Sequence, residues 1–351
     1  MNSRNDDVYN FIRSIPKVEL HAHLNGSLSN RTLKKLVSLK LEMNPDINKE
    51  YLSIPCLSPV RDLNQCFEVF SFISKVVDNP HAVYMAAVDT IEDFYNDGVR
   101  YLELRTTPKE NDQDMTQETY IQSVLKAITH TTETTCKGMI VKLLLSIDRR
   151  RPLKYAETTL KVAQQLIGEC SNIIGIDLSG DPSQGHIKNF LPILERGKQL
   201  GLKLAVHVAE LPDQHEEVEL LLKMQPDRLG HGTFLHPDKN GSSRNFELLK
   251  QLQIPLEICL TSNVACKTVP SYEDHHFKLF HKINYPCVLC TDDKGVFNTS
   301  LSDEYYLASQ HYSLSKDDLF KISYESISYS FCTELEKSLL RQHWEEFKKK
   351  T

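Results

Sequence analysis

Short apolar runs alternate with longer amphipathic stretches along most of the chain. We interpret the apolar runs, most of which end in polar residues, as β-strands. They are Val18–Leu24, Val99–Arg105, Ile140–Asp148, Ile173–Leu178, Leu202–Val208, Arg228–His231, Pro255–Thr261 and Pro286–Cys290. The stretches between them that we predict as helices include Asn30–Lys40, Val83–Asn96, Thr116–Thr131, Leu153–Ile167, Lys188–Leu200 and Gln214–Met224. This alternation is typical of a parallel sheet covered by helices.

The number of units favours one fold within this α/β class. Eight strand and helix units in about 275 residues match a (β/α)8 TIM barrel. A doubly wound open sheet is the alternative, but it usually has fewer strands and a glycine-rich first turn, whereas Asn25-Gly26-Ser27 follows the first strand here. We therefore predict a single domain over residues 1–351 with a core at 12–340. Extra helices should follow Ser302, and an insertion after the first strand, Glu42 to Leu63, could cover the barrel mouth.

Composition narrows the range of partners. The 351 residues are 40% hydrophobic and carry a net charge of −6, so we do not expect binding to nucleic acid. We expect no membrane span, because no apolar stretch reaches about 18 residues. The polar start lacks a signal-peptide apolar region, and most of the nine cysteines lie in apolar runs, which indicates reduced thiols in the cytoplasm. A monomer is the expectation, although no sequence feature specifies the oligomeric state.

Four metal-binding side chains follow strands that should meet at one end of the barrel. His21 and His23 are two residues apart, so they point to the same face of the first strand. His207 ends the fifth strand, and Asp292 follows the eighth. A buried His-x-His pair is as often structural as metallic, so the prediction rests on the four together. They predict one catalytic Zn²⁺, which lowers the pKa of bound water, although such ligands also accept iron, cobalt or manganese.

Three further polar residues lie beside the predicted ligands. Glu210 follows His207 where the chain should leave its strand, and it could shuttle protons beside the metal. His231, between two glycines, could orient or deprotonate the zinc water. Asp292 and Asp293 are adjacent at a strand end, so one can ligate metal while the next contacts substrate.

With these residues in place, the chain resembles the adenosine deaminase family over residues 12–340. Five motifs carry the resemblance: Lys17-Val-Glu-Leu-His-Ala-His-Leu-Asn-Gly-Ser27, Leu178-Ser-Gly-Asp181, His207-Val-Ala-Glu210, Arg228-Leu-Gly-His-Gly232 and Cys290-Thr-Asp-Asp293. The resemblance implies a (β/α)8 barrel with one zinc that hydrolytically removes the amine from C6 of a purine. The single metal also has support that is independent of the resemblance. Two-metal barrel hydrolases commonly bridge their ions with a modified lysine on strand four, and Ile173–Leu178 contains no lysine.

The resemblance also implies roles for individual residues. Glu210 would protonate purine N1, and His231 would act as a base toward the zinc water and steady the hydroxide. Asp293 would bond the ring near N7, and the backbone N–H of Gly180 would meet N3.

Within the family, the chain is more similar to the branch that acts on N6-methyl-AMP and yields IMP and methylamine. The stretches Leu104–Lys109, Ile147–Arg150, Leu260–Val264 and Pro270–Tyr272 carry this similarity. A 5′-phosphate needs hydrogen-bond donors and positive charge at the barrel rim. The expected substrate contacts are His23, Asn25, Ser74, Thr106, Thr107, Pro108, Lys109, Asp148, Gly180 and Asp293.

Two departures from that branch leave alternatives open. The chain has Ser74 near a position where the branch often has histidine, and Lys109 where arginine is common. Lysine is a point charge and lacks the two-pronged geometry of arginine. The alternatives are a deaminase of adenosine itself, a non-catalytic metal-binding member of the fold, and another single-metal barrel hydrolase that acts on a ring amide or ester.

Overall fold

The computed structural model describes residues 6–47, 53, 63–168 and 170–350. Eight parallel strands are each hydrogen-bonded to the next in chain order. They are β1 Lys17–His23, β2 Val99–Thr106, β3 Ile140–Asp148, β4 Ile173–Ser179, β5 Lys203–Val208, β6 Arg228–His231, β7 Leu256–Ile258 and β8 Cys287–Leu289. The segment after β8 returns to β1, because Asp292 N–H donates to His21 O at 2.8 Å and His23 N–H donates to Asp292 O at 3.0 Å. The predicted (β/α)8 barrel is confirmed.

Helices surround the strands and continue past the last of them. They are α1 Asp6–Ser14, α2 Asn30–Met43, α3 Leu63–Val76, α4 Pro80–Asn96, α5 Gln117–Glu133, α6 Leu153–Leu166, α7 Leu191–Gln199, α8 His215–Met224, α9 Ser243–Leu252, α10 Leu260–Ala265, α11 Phe277–Lys282, α12 Lys294–Phe297, α13 Leu301–Tyr312, α14 Lys316–Tyr329 and α15 Glu334–Lys350. Side-chain caps begin several of them, including Ser29 for α2 and Thr116 for α5. The last three confirm the predicted C-terminal helices. Across the described parts of the chain, every helix is too short or too polar to cross a membrane.

Some predicted boundaries are wrong. The seventh strand, predicted to end at Thr261, ends at Ile258, and the chain turns into α10 at Leu260, so Leu260 and Thr261 lie on a short helix. Helix α7 begins at Leu191 rather than Lys188, because Pro192 suits the first helical turn. Most of the insertion predicted between Glu42 and Leu63 lies outside the described residues, so its role as a cover stays a prediction.

Charged side chains, fully buried, fill part of the barrel interior. Arg228 Nε donates to Glu257 Oε1 at 2.7 Å, and Arg228 also pairs with Glu103. Arg105 donates to Asp177 Oδ1 at 3.1 Å and to Glu257 Oε2 at 2.9 Å. Each buried charge therefore has an opposite partner, as burial requires. We call Glu103, Arg105, Asp177, Arg228 and Glu257 the lumen ion network.

Candidate active site

The four predicted metal ligands converge where the strands end. His21 Nε2 lies 3.2 Å from Asp292 Oδ1, and His23 Nε2 lies 3.4 Å from the same oxygen. His23 Nε2 and His207 Nε2 are 3.3 Å apart. All four ligand atoms lie within 4.8 Å of one another. Three imidazole nitrogens and one carboxylate oxygen are a donor set that fits a divalent metal ion.

Outer partners orient these ligands. Glu257 Oε2 lies 2.7 Å from His21 Nδ1, and Asp177 Oδ1 lies 3.0 Å from His207 Nδ1. Ser262 Oγ donates to Asp292 Oδ2 at 2.6 Å. Carboxylates behind ligating histidines fix the ring orientation and leave the other nitrogen for the ion. Asp177 and Glu257 were not among the predicted site residues, although each is a charged residue within an otherwise apolar strand, which was the available signal.

The charges around the ligands favour a cation at their centre. Burial of His21 opposes its protonation, but the carboxylates of Glu257 and Asp292 outweigh burial and raise its pKa to about 9. Burial lowers the pKa of His23 to about 3, so that imidazole stays neutral. Burial alone would raise the pKa of Asp292, but the neighbouring histidines outweigh burial and hold this pKa well below its usual range. A metal ion would replace the proton that this arrangement otherwise attracts.

Cys259 also lies near the centre, in a group with His231 and Asp292. Burial, and then the charge of Asp292, raise the pKa of the Cys259 thiol well above its usual value. A metal binds the thiolate, so this group is the weaker of the two candidate sites.

Glu210 and His231 face the same centre. Ala209 has a φ of 50°, which turns the chain out of β5 and directs Glu210 into the cavity. Glu210 Oε2 lies 3.8 Å from His231 Nε2, which lies 3.9 Å from Asp292 Oδ2. Burial raises the pKa of Glu210 to about 7, so the carboxyl group can hold a proton near neutral pH. Burial holds the pKa of His231 well below its usual value.

A cavity of about 650 Å³ opens above this centre. The predicted substrate residues that line it are His23, Asn25, Ser74, Thr106, Thr107, Lys109, Asp148, Gly180 and Asp293. Pro108, in contrast, is buried and is not part of the lining. The structure therefore brings together nine of the ten predicted contacts.

The polar atoms in the cavity floor include groups without partners in the described structure. Asn25 Nδ2 donates to the Tyr120 hydroxyl at 3.3 Å, but Asn25 Oδ1 has no partner. Asp293 Oδ1 is also buried without one. Burial, and then the charge of Asp292, raise the pKa of Asp293 well above its usual value, so this carboxyl group is a hydrogen-bond donor. Such unsatisfied buried atoms indicate a ligand that would complete them.

Basic side chains lie at the cavity rim. Lys109 Nζ donates to Ser74 Oγ at 3.1 Å, and burial together with Arg151 lowers its pKa to about 8. Arg150 lines the rim and forms an ion pair with Asp148 at 2.6 Å, so Asp148 already has a partner. Arg149 instead points to Glu217, with Nη1 2.7 Å from its Oε1.

Comparison with known proteins identifies one family. Residues 16–346 match the family model described as adenosine deaminase. The chain belongs to the adenosine deaminase family. The resemblance carried by the five sequence motifs is thereby confirmed.

Similar proteins of this family include a curated N6-methyl-AMP deaminase of Danio rerio, which is 45% identical over 345 residues, or 96% of this chain and 97% of the relative. The crystal structure of Arabidopsis N6-mAMP deaminase superposes with a TM-score of 0.87 at 36% identity, over 96% of this chain and 99% of that chain. A structure of Arabidopsis ADAL complexed with IMP has the same TM-score and identity, over 96% of this chain and 98% of that one.

Proposed function

We propose that this protein hydrolyses N6-methyl-AMP to IMP and methylamine, with His21, His23, His207 and Asp292 holding one Zn²⁺. The observation that carries the proposal is that one cavity joins the four-ligand centre to a rim with Lys109, Arg150 and Arg151. The relatives named N6-methyl-AMP deaminase and the related structure with IMP support the same substrate.

Glu210 is the acid of the proposed reaction. When bound, a divalent metal supplies hydroxide near neutral pH. The Glu210 carboxyl group gives its proton to purine N1, and the electron pair of the C6=N1 bond moves to N1 as oxygen adds to C6. The raised pKa of Glu210 keeps this proton available near neutral pH. The Glu210 carboxylate then takes the proton of the added hydroxyl and passes it to the C6 nitrogen, and cleavage of the C6–N bond releases methylamine and leaves the C6 oxygen of IMP.

Other residues of the cavity would position the purine. The protonated Asp293 carboxyl group donates toward N7, and the backbone N–H of Gly180 meets N3. Gly180 has a φ of 103°, and a Cβ atom there would overlap Asp148 Oδ1, so only glycine suits this position. His231 would contact the attacking oxygen, since its Nε2 lies 3.8 Å from Glu210 Oε2 and 3.9 Å from Asp292 Oδ2.

The rim would bind the 5′-phosphate. Lys109 supplies positive charge, and Thr106 and Thr107 supply donors beside it. Asn25, whose Oδ1 has no partner in the described parts of the chain, would bond the ribose.

Turnover of a substrate panel tests the proposal. Purified, zinc-loaded protein is incubated with N6-methyl-AMP, AMP and adenosine, and IMP, inosine and methylamine are measured. We expect fast release of methylamine from N6-methyl-AMP. Rapid turnover of adenosine without turnover of N6-methyl-AMP would refute the nucleotide specificity. Absence of turnover with every substrate would favour the non-catalytic alternative or a hydrolase of another ring.

A variant of the acid tests its role. We expect Glu210→Gln to lower kcat by about 10²- to 10⁴-fold with unchanged metal content. Glu216→Gln, on the exposed start of α8, is the matched control and should keep full activity. Full activity of Glu210→Gln would contradict the assignment.

Deamination of adenosine is the second candidate. The lysine at position 109, in place of the arginine common in the N6-methyl-AMP branch, is the observation that favours it. This candidate predicts equal KM values with and without the 5′-phosphate. The single domain, the monomeric state, the cytoplasmic location and the lack of nucleic-acid binding stay predictions of the sequence.

A further inference from the structure

A chain of hydrogen bonds runs from His231 through Asn263 at the cavity wall to His275, which is not among the lining residues. The backbone N–H of Phe277 donates to His275 Nδ1 at 3.0 Å. His275 Nε2 lies 3.1 Å from Asn263 Oδ1, and Asn263 Nδ2 lies 3.1 Å from His231 Nδ1. His231 and Asn263 are each 3% exposed and His275 is 1% exposed, so water does not compete for these bonds. We call His275 and Asn263 the tautomer relay.

The direction of every bond in the relay follows from its first donor. A backbone N–H can only donate, so His275 Nδ1 accepts and carries no proton. The proton of His275 is then on Nε2, which donates to Asn263 and requires the amide oxygen there. The amide NH₂ of Asn263 therefore faces His231 and donates to Nδ1. The backbone N–H of Phe277 thus determines the orientation of the Asn263 amide and the tautomers of His275 and His231.

The result for His231 is a single protonation pattern. Its Nδ1 accepts a hydrogen bond, so its one proton is on Nε2, the nitrogen that faces Glu210 Oε2 at 3.8 Å and Asp292 Oδ2 at 3.9 Å. A hydrogen bond to the backbone of His231 also fixes the position of this residue. His276 Nε2 donates to the carbonyl oxygen of His231 at 2.8 Å, at a residue with a φ of 59°.

We propose that Asn263 and His275 are positioning residues that hold His231 as its Nε2–H tautomer, so that His231 donates a hydrogen bond to the attacking oxygen instead of removing its proton. This inference rests on the proposed deaminase function. It differs from the role of base that the family resemblance implied for His231. In the step itself, hydroxide adds to C6, the proton of Glu210 goes to N1, and His231 keeps its proton throughout.

The alternative role of base has a structural cost. An Nε2 that carries a proton has no lone pair to accept another. Moving the proton to Nδ1 would place two N–H groups, those of His231 and Asn263, against each other in a buried site. Rotating the amide would then oppose its NH₂ to the Nε2–H of His275. Buried donors without acceptors are destabilising, so the relay favours one tautomer strongly.

Nitrogen NMR measures the tautomer directly and does not depend on activity. Zinc-loaded protein is labelled with ¹⁵N-histidine, and two-bond ¹H–¹⁵N spectra identify which ring nitrogen carries the proton. The signals of His231 among the 14 histidines are assigned by their loss in His231→Gln. We expect a neutral ring with the proton on Nε2. A proton on Nδ1, or on both nitrogens, in the resting enzyme would overturn the proposal.

Variants of His275 test whether the tautomer matters for catalysis, because His275 is not part of the cavity lining. His275→Leu cannot donate to Asn263, so we expect His231 to populate both tautomers and kcat to fall about tenfold or more, with KM within about twofold of wild type. His275→Gln retains a donor and an acceptor, and it should restore both the single tautomer and most of kcat. A merely structural role predicts parallel losses of stability and activity in the two variants.

The possible outcomes separate this inference from the proposed function. If wild-type protein shows the Nε2–H tautomer but turns over no purine substrate, the relay is retained and the deaminase function fails. If the protein is an active deaminase with His231 protonated on Nδ1, the relay fails alone. If His275→Leu mixes the tautomers without lowering kcat, the catalytic part of the proposal is refuted. If His275→Leu does not fold, the wild-type spectrum still decides the tautomer.

Discussion

Gly26 lies directly against Asp293, whose carboxylate occupies the space that a Cβ atom on residue 26 would need. The two residues follow opposite ends of the barrel sequence, Gly26 after β1 and Asp293 after β8. Their contact therefore forms where the barrel closes. It leaves the Asp293 carboxyl group buried at the cavity floor, where Oδ1 has no hydrogen-bond partner among the described residues. Residue 26 must therefore be glycine because the Asp293 side chain leaves no room for a Cβ atom. Its φ is not in the left-handed region, so backbone conformation is not the reason.

Replacing this glycine should displace Asp293 without removing the metal. In Gly26→Ala the new methyl group overlaps the Asp293 carboxylate, which must move. A displacement of about 1 Å in a substrate-positioning group can cost about 10²-fold, so we expect a loss of that order in kcat/KM. Steady-state kinetics and metal analysis measure the two effects. Gly168→Ala is the control, since a Cβ there meets nothing within 4 Å. Unchanged kinetics in Gly26→Ala would argue against a role for Asp293 at the substrate.

Removing the rim lysine should affect nucleotides and spare nucleosides. A charge-assisted hydrogen bond is worth about 1.5–3 kcal/mol, so Lys109→Ala should raise KM for N6-methyl-AMP by about 10- to 100-fold. The KM for N6-methyladenosine should not change, because that substrate has no phosphate. Lys137→Ala, an exposed lysine before β3 at the other end of the barrel, is the matched control. Equal effects of Lys109→Ala on both substrates would remove the proposed phosphate contact.

The barrel and the ligand set were predictable because each depends on a regular pattern. Alternation of strands and helices predicts which residues lie at strand ends, and strand ends of a parallel barrel meet at one mouth. His21, His207 and Asp292 could therefore be placed together without knowledge of their distances. The predicted strand Pro255–Thr261 was wrong at its end because the pattern there is ambiguous. Apolar periodicity alone does not distinguish a buried strand from a short buried helix such as α10.

The supporting residues were not predictable from pattern alone. Glu257 and Asp177 act through the lumen ion network, whose pairs join strands far apart in the chain, and only the closed barrel brings them together. Asn263 lies in the stretch Leu260–Val264 that carries the family similarity, but its partner His275 lies on the connection that precedes α11. Hydrogen-bond direction, which decides the tautomer of His231, requires the three-dimensional partners of every ring nitrogen.

Ser262 should contribute to metal affinity through Asp292. Its hydroxyl donates to Asp292 Oδ2 at 2.6 Å and is 3% exposed. Loss of a hydrogen-bond partner of a metal-ligating side chain typically lowers metal affinity by about 10- to 100-fold. We expect the loss in Ser262→Ala to fall in this range. Competition with a chelator measures the affinity. Ser14→Ala, which removes an exposed hydroxyl at the end of α1, should bind metal normally. Wild-type affinity in Ser262→Ala would show that the ligand needs no support from this hydroxyl.

Glu304 links α13 to α10 and is not one of the predicted metal ligands. Its side chain is fully buried, where Oε2 accepts from the Thr261 N–H at 3.1 Å and Oε1 accepts from Thr299 Oγ1 at 2.7 Å. Burial outweighs these hydrogen bonds and raises the pKa of Glu304 to about 7. The folded protein therefore keeps a proton on Glu304 at pH values where the unfolded chain has lost it.

The free energy of unfolding should consequently fall as pH rises through the window between the two pKa values, from about 4.5 unfolded to about 7 folded. The contribution of protonated Glu304 to the free energy of unfolding is complete below that window and absent above it. Its size is at most about 3 kcal/mol. Glutamine resembles the protonated acid, so Glu304→Gln should be less pH-dependent and should be more stable than wild type at about pH 8. Urea unfolding of metal-free protein across this range measures the difference. Glu325→Gln, on the exposed face of α14, should parallel wild type, and a parallel curve for Glu304→Gln would show that Glu304 titrates normally in the folded protein.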